Sequence, residues 1–295
     1  MRLRILYTVF LAFALIFSSD YLYGGPMNPI FPGSGRPASI ARFGEPKAIK
    51  TGEGGSITLI ADRVDPSTAS KGVVLYFHGN GEVVEDLAYL LPFFRRAKVH
   101  TLFVEYPGYG NAPGKPSEKE CFQTSLETYD WAKKEFPNLP IIAAGWSLGS
   151  SVAAYLASER EVSHLLMLSA MTSMKEVVQR LIPLVPEILL RGNEFDTTRF
   201  IERVKGPVTL IHGTEDNLVP FSMGQKLKGL LGDKARFVPI DGATHNDLFF
   251  RGGSAIEAEI QLLVTALPSE RGRASDSRPS PLPESASRPT RSGPE

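Results

Sequence analysis

The stretch Ile141-Ile142-Ala143-Ala144-Gly145-Trp146-Ser147-Leu148-Gly149-Ser150-Ser151-Val152 decides how this chain is read. Ile141–Ala144 is a short apolar run of the kind that forms a buried strand, and Leu148–Leu156 continues with small residues at helical spacing. Between them sits Gly145-x-Ser147-x-Gly149. A sharp strand-to-helix turn forces its serine into a strained backbone conformation, which presents the hydroxyl above the sheet. Glycines two residues to either side relieve the crowding between strand and helix. The helix that begins at Leu148 offers that residue's N–H to a developing oxyanion. Ser147 is therefore the candidate nucleophile.

Working outward, the same rhythm recurs. Strands are expected at Ile57–Ala61, Val73–Phe77, His100–Tyr106, His164–Leu168, Val208–His212 and Arg236–Pro239. Helices are expected at Val83–Phe94, Glu118–Phe136, Phe221–Leu231 and Ile256–Leu267. Strands separated by helical patterns imply right-handed crossovers and a mostly parallel central sheet with helices on both faces, an α/β architecture. Met174–Leu190 interrupts the pattern, being apolar nearly all round and broken by Pro183 and Pro186. It reads either as a small helical cap over a site, within residues 172–200, or as an ordinary surface-packed helix pair.

A serine hydroxyl is a weak nucleophile at neutral pH and needs a base within hydrogen-bond reach. Of five histidines, His78 precedes a glycine turn and structures it, His100 and His164 open strands, and His212 ends a strand at a polar turn. His245 lies in a loop after the last strand, at a carboxyl strand end where catalytic groups of parallel sheets collect, and is the best base. The base needs a carboxylate to fix its tautomer. His212-Gly213-Thr214-Glu215-Asp216 supplies two, Asp216 and its rival Glu215, and spacing alone does not separate them. The second oxyanion donor is expected from His78-Gly79-Asn80-Gly81, at Asn80. No P-loop Lys-Ser/Thr follows these glycines, which excludes a phosphate cradle.

Taken together, His78-Gly79-Asn80, Glu105-Tyr106-Pro107-Gly108-Tyr109-Gly110, the Ser147 turn, His212-Gly213-x-x-Asp216 and His245 resemble the α/β-hydrolase superfamily, nearest its Bem46-like serine hydrolases. The order Ser, acid, His along the chain is that superfamily's. The resemblance implies an α/β-hydrolase fold over residues 53–267, with Ser147 as nucleophile, Asp216 as acid, His245 as base, and the Asn80 and Leu148 N–H groups as oxyanion hole. It implies a serine hydrolase of carboxylic esters or thioesters working through an acyl-enzyme, with a small-molecule or lipid-like acyl ester as substrate. Two alternatives remain: a serine peptidase or aminopeptidase on the same fold, and a non-catalytic hydrolase-like binding domain. The group's loop usually carries Asp, Arg and Ser where this chain has Glu105, Pro107 and Ala112, so the contacts that position it are expected to differ.

The ends lie outside this rhythm. Arg2 and Arg4 precede the apolar run Ile5–Phe17, the pattern of a secretory signal. The run is shorter than the roughly 20 residues of a membrane span, and no small-residue cleavage site follows. Residues 1–24 are thus a signal peptide or an uncleaved membrane anchor with Tyr21 and Tyr23 at the interface. Either way the remainder is expected to be exported, as a secreted, periplasmic or membrane-anchored protein. Residues 25–52 read as an extended connector. Residues 268–295, rich in Ser, Pro and Arg, cannot bury enough surface to offset the entropy of ordering and read as a disordered tail.

The 295 residues carry 32 basic and 32 acidic side chains, a balance that excludes the basic footprint of a nucleic-acid binder. One cysteine, Cys121, excludes an internal disulfide and a Cys-rich zinc site. No metal or organic cofactor is expected.

Overall fold

Short β-branched and aliphatic runs alternate with amphipathic segments along the chain, and each run takes its place in one sheet. The computed structural model describes residues 30–36, 46–50 and 56–267. The N-terminal segment 1–24 and the tail 268–295 lie outside the described residues. The strands are β1 Lys47–Lys50, β2 Ser56–Asp62, β3 Val73–Phe77, β4 His100–Glu105, β5 Ile141–Trp146, β6 His164–Leu168, β7 Val208–Gly213 and β8 Ala235–Ile240. The helices are α1 Leu91–Arg96, α2 Glu118–Glu135, α3 Leu148–Glu159, α4 Met174–Leu181, α5 Phe221–Leu231, α6 Leu248–Arg251 and α7 Gly253–Thr265.

The sheet order is β1-β2-β4-β3-β5-β6-β7-β8. β1 and β2 pair antiparallel, β2 runs antiparallel to β4, and the six strands from β4 to β8 are parallel. Alternate residues of each strand enter opposite cores. Val73, Leu75 and Phe77 pack with α2, α3 and α5, while Val74 and Tyr76 pack with α1 and α7. The long helix α2 is fixed at its start by Ser117, whose hydroxyl accepts from the Glu120 N–H at 3.1 Å. Register matters most for function: Phe77 aligns with Gly145, Trp146 with Leu168, and Gly213 with Ile240. The loops after β3, β5, β6, β7 and β8 therefore leave the same edge of the sheet.

The fold departs from the sequence reading in four places. The single helix expected at Val83–Phe94 is a 3₁₀ helix, Val84–Leu90, followed by α1. Pro92 has no N–H to continue an α-helical ladder and sits in the first turn of the new helix instead. The last helix begins at Gly253, three residues before the expected start, because Gly253, Ser254 and Ala255 carry no apolar period. Met174–Leu190 is one α-helix, α4, and a 3₁₀ turn at Glu187–Leu190, with Pro183 and Pro186 between them. Met174, Val177 and Leu190 are buried, whereas Leu181, Leu184, Ile188 and Leu189 are exposed.

The fourth departure concerns the connector 25–52. Lys47–Lys50 is an edge strand of the sheet, and Ile30–Arg36 is a packed strap. Phe31 is buried and meets the ring of Phe195 edge-on at 6.0 Å, and Ser34 forms an isolated bridge with Tyr109. A lone phenylalanine among glycines and prolines shows no period, and its partners are far away in sequence.

Candidate active site

Ser147 stands between β5 and α3 with φ +54° and ψ −117°, a conformation that disfavours every residue but glycine. The surroundings over-determine it. A Cβ on Gly145 would lie 2.0 Å from the Gly149 carbonyl oxygen, and one on Gly149 would lie 1.9 Å from that of Phe77. Only glycine lets β3, β5 and α3 approach this closely. The Ser147 N–H donates to the Leu168 carbonyl at 2.9 Å, tying the turn to β6.

His245 Nδ1 donates to Asp216 Oδ2 at 2.8 Å, and both side chains are buried. That bond leaves Nε2 as the free nitrogen of the ring. The indole of Trp146 stacks on the imidazole, with centroids 4.9 Å apart and planes 25° apart. The residue preceding Ser147 thus sets the ring's plane. Among the described residues no hydrogen bond joins the Ser147 hydroxyl to His245; what links the two is the stack of the imidazole on the ring of Trp146, the neighbour of Ser147 in the chain. Asp216 Oδ1 accepts from the N–H groups of Leu218 at 3.0 Å and Val219 at 2.7 Å. Burial works to raise the Asp216 pKa, but the hydrogen bond and charge of His245 and the Val219 N–H outweigh it and hold the carboxyl below its ordinary value. Glu215 is exposed, so the geometry separates the two carboxylates that spacing could not.

On the other side, the His78 ring is fully buried between two acceptors. Nε2 donates to Glu105 Oε1 and Nδ1 to the Gly79 carbonyl, each at 2.8 Å. Burial opposes its charge, yet the Glu105 carboxylate beside it raises its pKa. The other Glu105 oxygen accepts from the Val84 N–H at 3.0 Å. The Gly79 N–H is taken by Glu82 at 2.9 Å. Among the described residues neither the Asn80 nor the Leu148 N–H donates to the protein. The Asn80 side chain is engaged: Nδ2 donates to the Ile30 carbonyl at 2.7 Å, and Oδ1 accepts from the Tyr109 hydroxyl at 2.6 Å.

Comparison with known proteins gives the chain its relatives. A family model described as "Serine aminopeptidase, S33" matches residues 68–194. An uncharacterized protein of Mycobacterium tuberculosis is 30% identical over 201 residues, covering 68% of this chain and 72% of that protein. The lysophosphatidylserine lipase ABHD12 of Macaca fascicularis is 27% identical over 214 residues, 63% of this chain and 53% of the lipase. Among solved structures, the Pyrococcus furiosus esterase Pf2001 superposes with a TM-score of 0.64 at 18% identity, covering 76% of this chain and 91% of the esterase. The chain belongs to the α/β-hydrolase superfamily. It spans about half the length of the ABHD12 lipases it matches.

In this α/β-hydrolase chain, Ser147, Asp216, His245, Asn80 and Leu148 all lie on loops or helix starts at the carboxyl edge of the sheet. Three neighbours had no assigned part in the sequence reading, although His212 stood in the motif that holds Asp216. His212 Nε2 donates to the Val219 carbonyl at 2.8 Å and lies 3.6 Å from Asp216 Oδ2. Burial, first of all, keeps its pKa below the ordinary value. Ser169, buried at φ +42° just after β6, lies beside Asp216 and is one of the groups that lower its pKa. Its place at a strand end was the available signal. The third is the strap Ile30–Arg36, for which the sequence held none.

Proposed function

We propose that the protein is a serine hydrolase that cleaves carboxylic esters or thioesters of lipid-like acyl groups. The observation that carries this reading is the buried Asp216–His245 pair stacked on the residue adjoining a strained Ser147. Ser147 Oγ attacks the acyl carbonyl while His245 Nε2 takes the hydroxyl proton, and Asp216 stabilises the imidazolium. The tetrahedral oxyanion lies against the Asn80 and Leu148 N–H groups. His245 then protonates the leaving alcohol or thiol, the acyl group stays on Ser147, and water activated by the same nitrogen releases it. ABHD12 relatives are named as lipases of lysophosphatidylserine, which supports an acyl ester as substrate class.

The location follows from two features. The apolar run Ile5–Phe17 directs export or anchoring. Leu181, Leu184, Ile188 and Leu189 are exposed on the segment that follows β6, an apolar stretch suited to lipid.

Labelling with a fluorophosphonate probe tests the nucleophile: wild type reacts and Ser147→Ala does not. Absence of labelling in a folded wild type overturns the reading. A p-nitrophenyl ester series from acetate to longer chains then tests the acyl class, expected to favour longer chains. Aminopeptidase activity is the second reading, favoured by the description of the matching family model. Turnover of aminoacyl-nitroanilides without comparable ester cleavage would establish it instead.

A further inference from the structure

We propose that the strap Ile30–Arg36 is a working part of the site that fixes the Asn80 oxyanion donor, with Arg36 as its positioning residue. The kinetic side of this inference rests on the hydrolase reading above. The strap lies outside the residues matched by the family model and touches the His78–Gly81 loop at three successive points. The Ile30 carbonyl accepts from Asn80 Nδ2 at 2.7 Å, the Gly33 N–H donates to the Asn80 carbonyl at 3.0 Å, and Arg36 Nη1 donates to the Gly81 carbonyl at 2.7 Å.

Arg36 also forms a two-nitrogen pair with Asp86, at 2.8 and 3.4 Å. Asp86 Oδ2 in turn accepts from the Val83 N–H at 3.3 Å. One guanidinium therefore spans the loop from Gly81 to the start of the 3₁₀ helix, a reach for which its planar fork is suited. The opposite side is closed by Tyr109, whose hydroxyl meets both Asn80 oxygens, at 2.6 and 3.2 Å. Gly33 is wedged between these parts: a Cβ there would lie 2.6 Å from both the Asn80 carbonyl oxygen and Tyr109 Cε1.

With its side chain tied at both ends and its carbonyl held, Asn80 is restrained from rotations that would swing its N–H. An oxyanion donor acts through pre-organisation, since it must already point where charge develops. Loosening it should weaken transition-state stabilisation more than substrate binding, which is a fall in kcat with little change in KM.

The experiment uses the full chain and the variants Arg36→Ala, Arg36→Lys and Gly33→Ala. It reads p-nitrophenyl ester kinetics, melting temperature and amide hydrogen exchange across residues 79–83. Arg36→Ala is expected to lower kcat about tenfold with KM within about twofold, less than the loss of a whole donor, and to speed exchange in the loop. Arg36→Lys should fall between, because an ammonium keeps a single donor nitrogen and loses both the second contact to Asp86 Oδ1 and the rigid plane of the fork. Gly33→Ala should show the same kinetic signature by displacing the strap. Exchange unchanged in Arg36→Ala overturns the proposal, as does a kcat unchanged in both Arg36→Ala and Gly33→Ala. Exchange does not depend on ester turnover: faster exchange in Arg36→Ala of a protein that cleaves no ester would support the strap and count against the hydrolase reading.

Discussion

Asp216 and His245 come from loops after neighbouring parallel strands, β7 and β8, and meet across 29 residues of sequence. Asn80 also sits on a loop after a parallel strand, yet its orientation depends on Ile30 and Gly33, far upstream, and on Tyr109 downstream. The acid–base half is a product of the sheet: once β7 and β8 are in register, the carboxylate and imidazole face each other. The loop of Asn80, the proposed oxyanion side, is instead tied to a segment that belongs to no strand or helix. The difference teaches that a shared scaffold fixes where loops begin, while the precision of a given donor is supplied by whatever packs over its loop.

The comparison can be broken hardest on the acid–base side. Ser147→Ala should cut ester turnover by at least about 10⁴-fold while the fold persists, as for other serine triads; steady-state kinetics with circular dichroism checks both. Asp216→Asn should cost about 10³- to 10⁴-fold, because the amide cannot hold the His245 tautomer, whereas Glu215→Gln should leave kcat within about twofold. Equal losses in these two variants would undo the assignment. On the oxyanion side, Asn80→Ala keeps the backbone N–H but loses the ties to Ile30 and Tyr109. A fall of about tenfold in kcat is expected, well short of the loss from deleting a donor.

Two smaller effects concern stability. His164 lies at the far edge, at the start of β6, where burial pushes its pKa down to about 4 and Nε2 meets Thr209 Oγ1 at 2.9 Å. An unfolded histidine titrates near 6.5, so between about pH 6.5 and 4 the unfolded chain binds a proton that the native chain refuses. Stability should be full above pH 6.5 and fall by up to about 3 kcal/mol as the pH drops to 4. His164→Gln, measured by urea unfolding, should flatten that slope. Last, Ser147→Gly should raise stability by about 1 kcal/mol, since glycine carries no penalty at this positive φ; a melting point unchanged from Ser147→Ala would argue against stored strain.

Much of this arrangement was legible in the sequence because it follows strict periods. Continuous apolar runs such as Val73–Phe77 read as buried strands, and the Ser147 turn declared itself through glycines whose absent Cβ atoms the packing requires. Spacing did not separate Asp216 from Glu215, because neighbouring residues differ in which way they point; only the resemblance singled out Asp216. The 3₁₀ helix before Pro92 was hidden by apolar spacing that suits either helix. The strap was invisible for a different reason. Its glycines and prolines spell a linker, and only the tertiary contacts of Phe31, Gly33 and Arg36 make it part of the fold.

The strap also imposes an order of events on biosynthesis. Residues 30–36 leave the ribosome before their partners: Gly81 and Asp86 follow Arg36 by 45 and 50 residues, and Tyr109 comes later still. A chain emerging from its N-terminus must carry the strap without these partners until β3 and β4 have been made. The strap can therefore be seated only after the centre of the sheet exists, and a nascent chain stalled before Tyr109 would hold a strap with nothing complete to close upon.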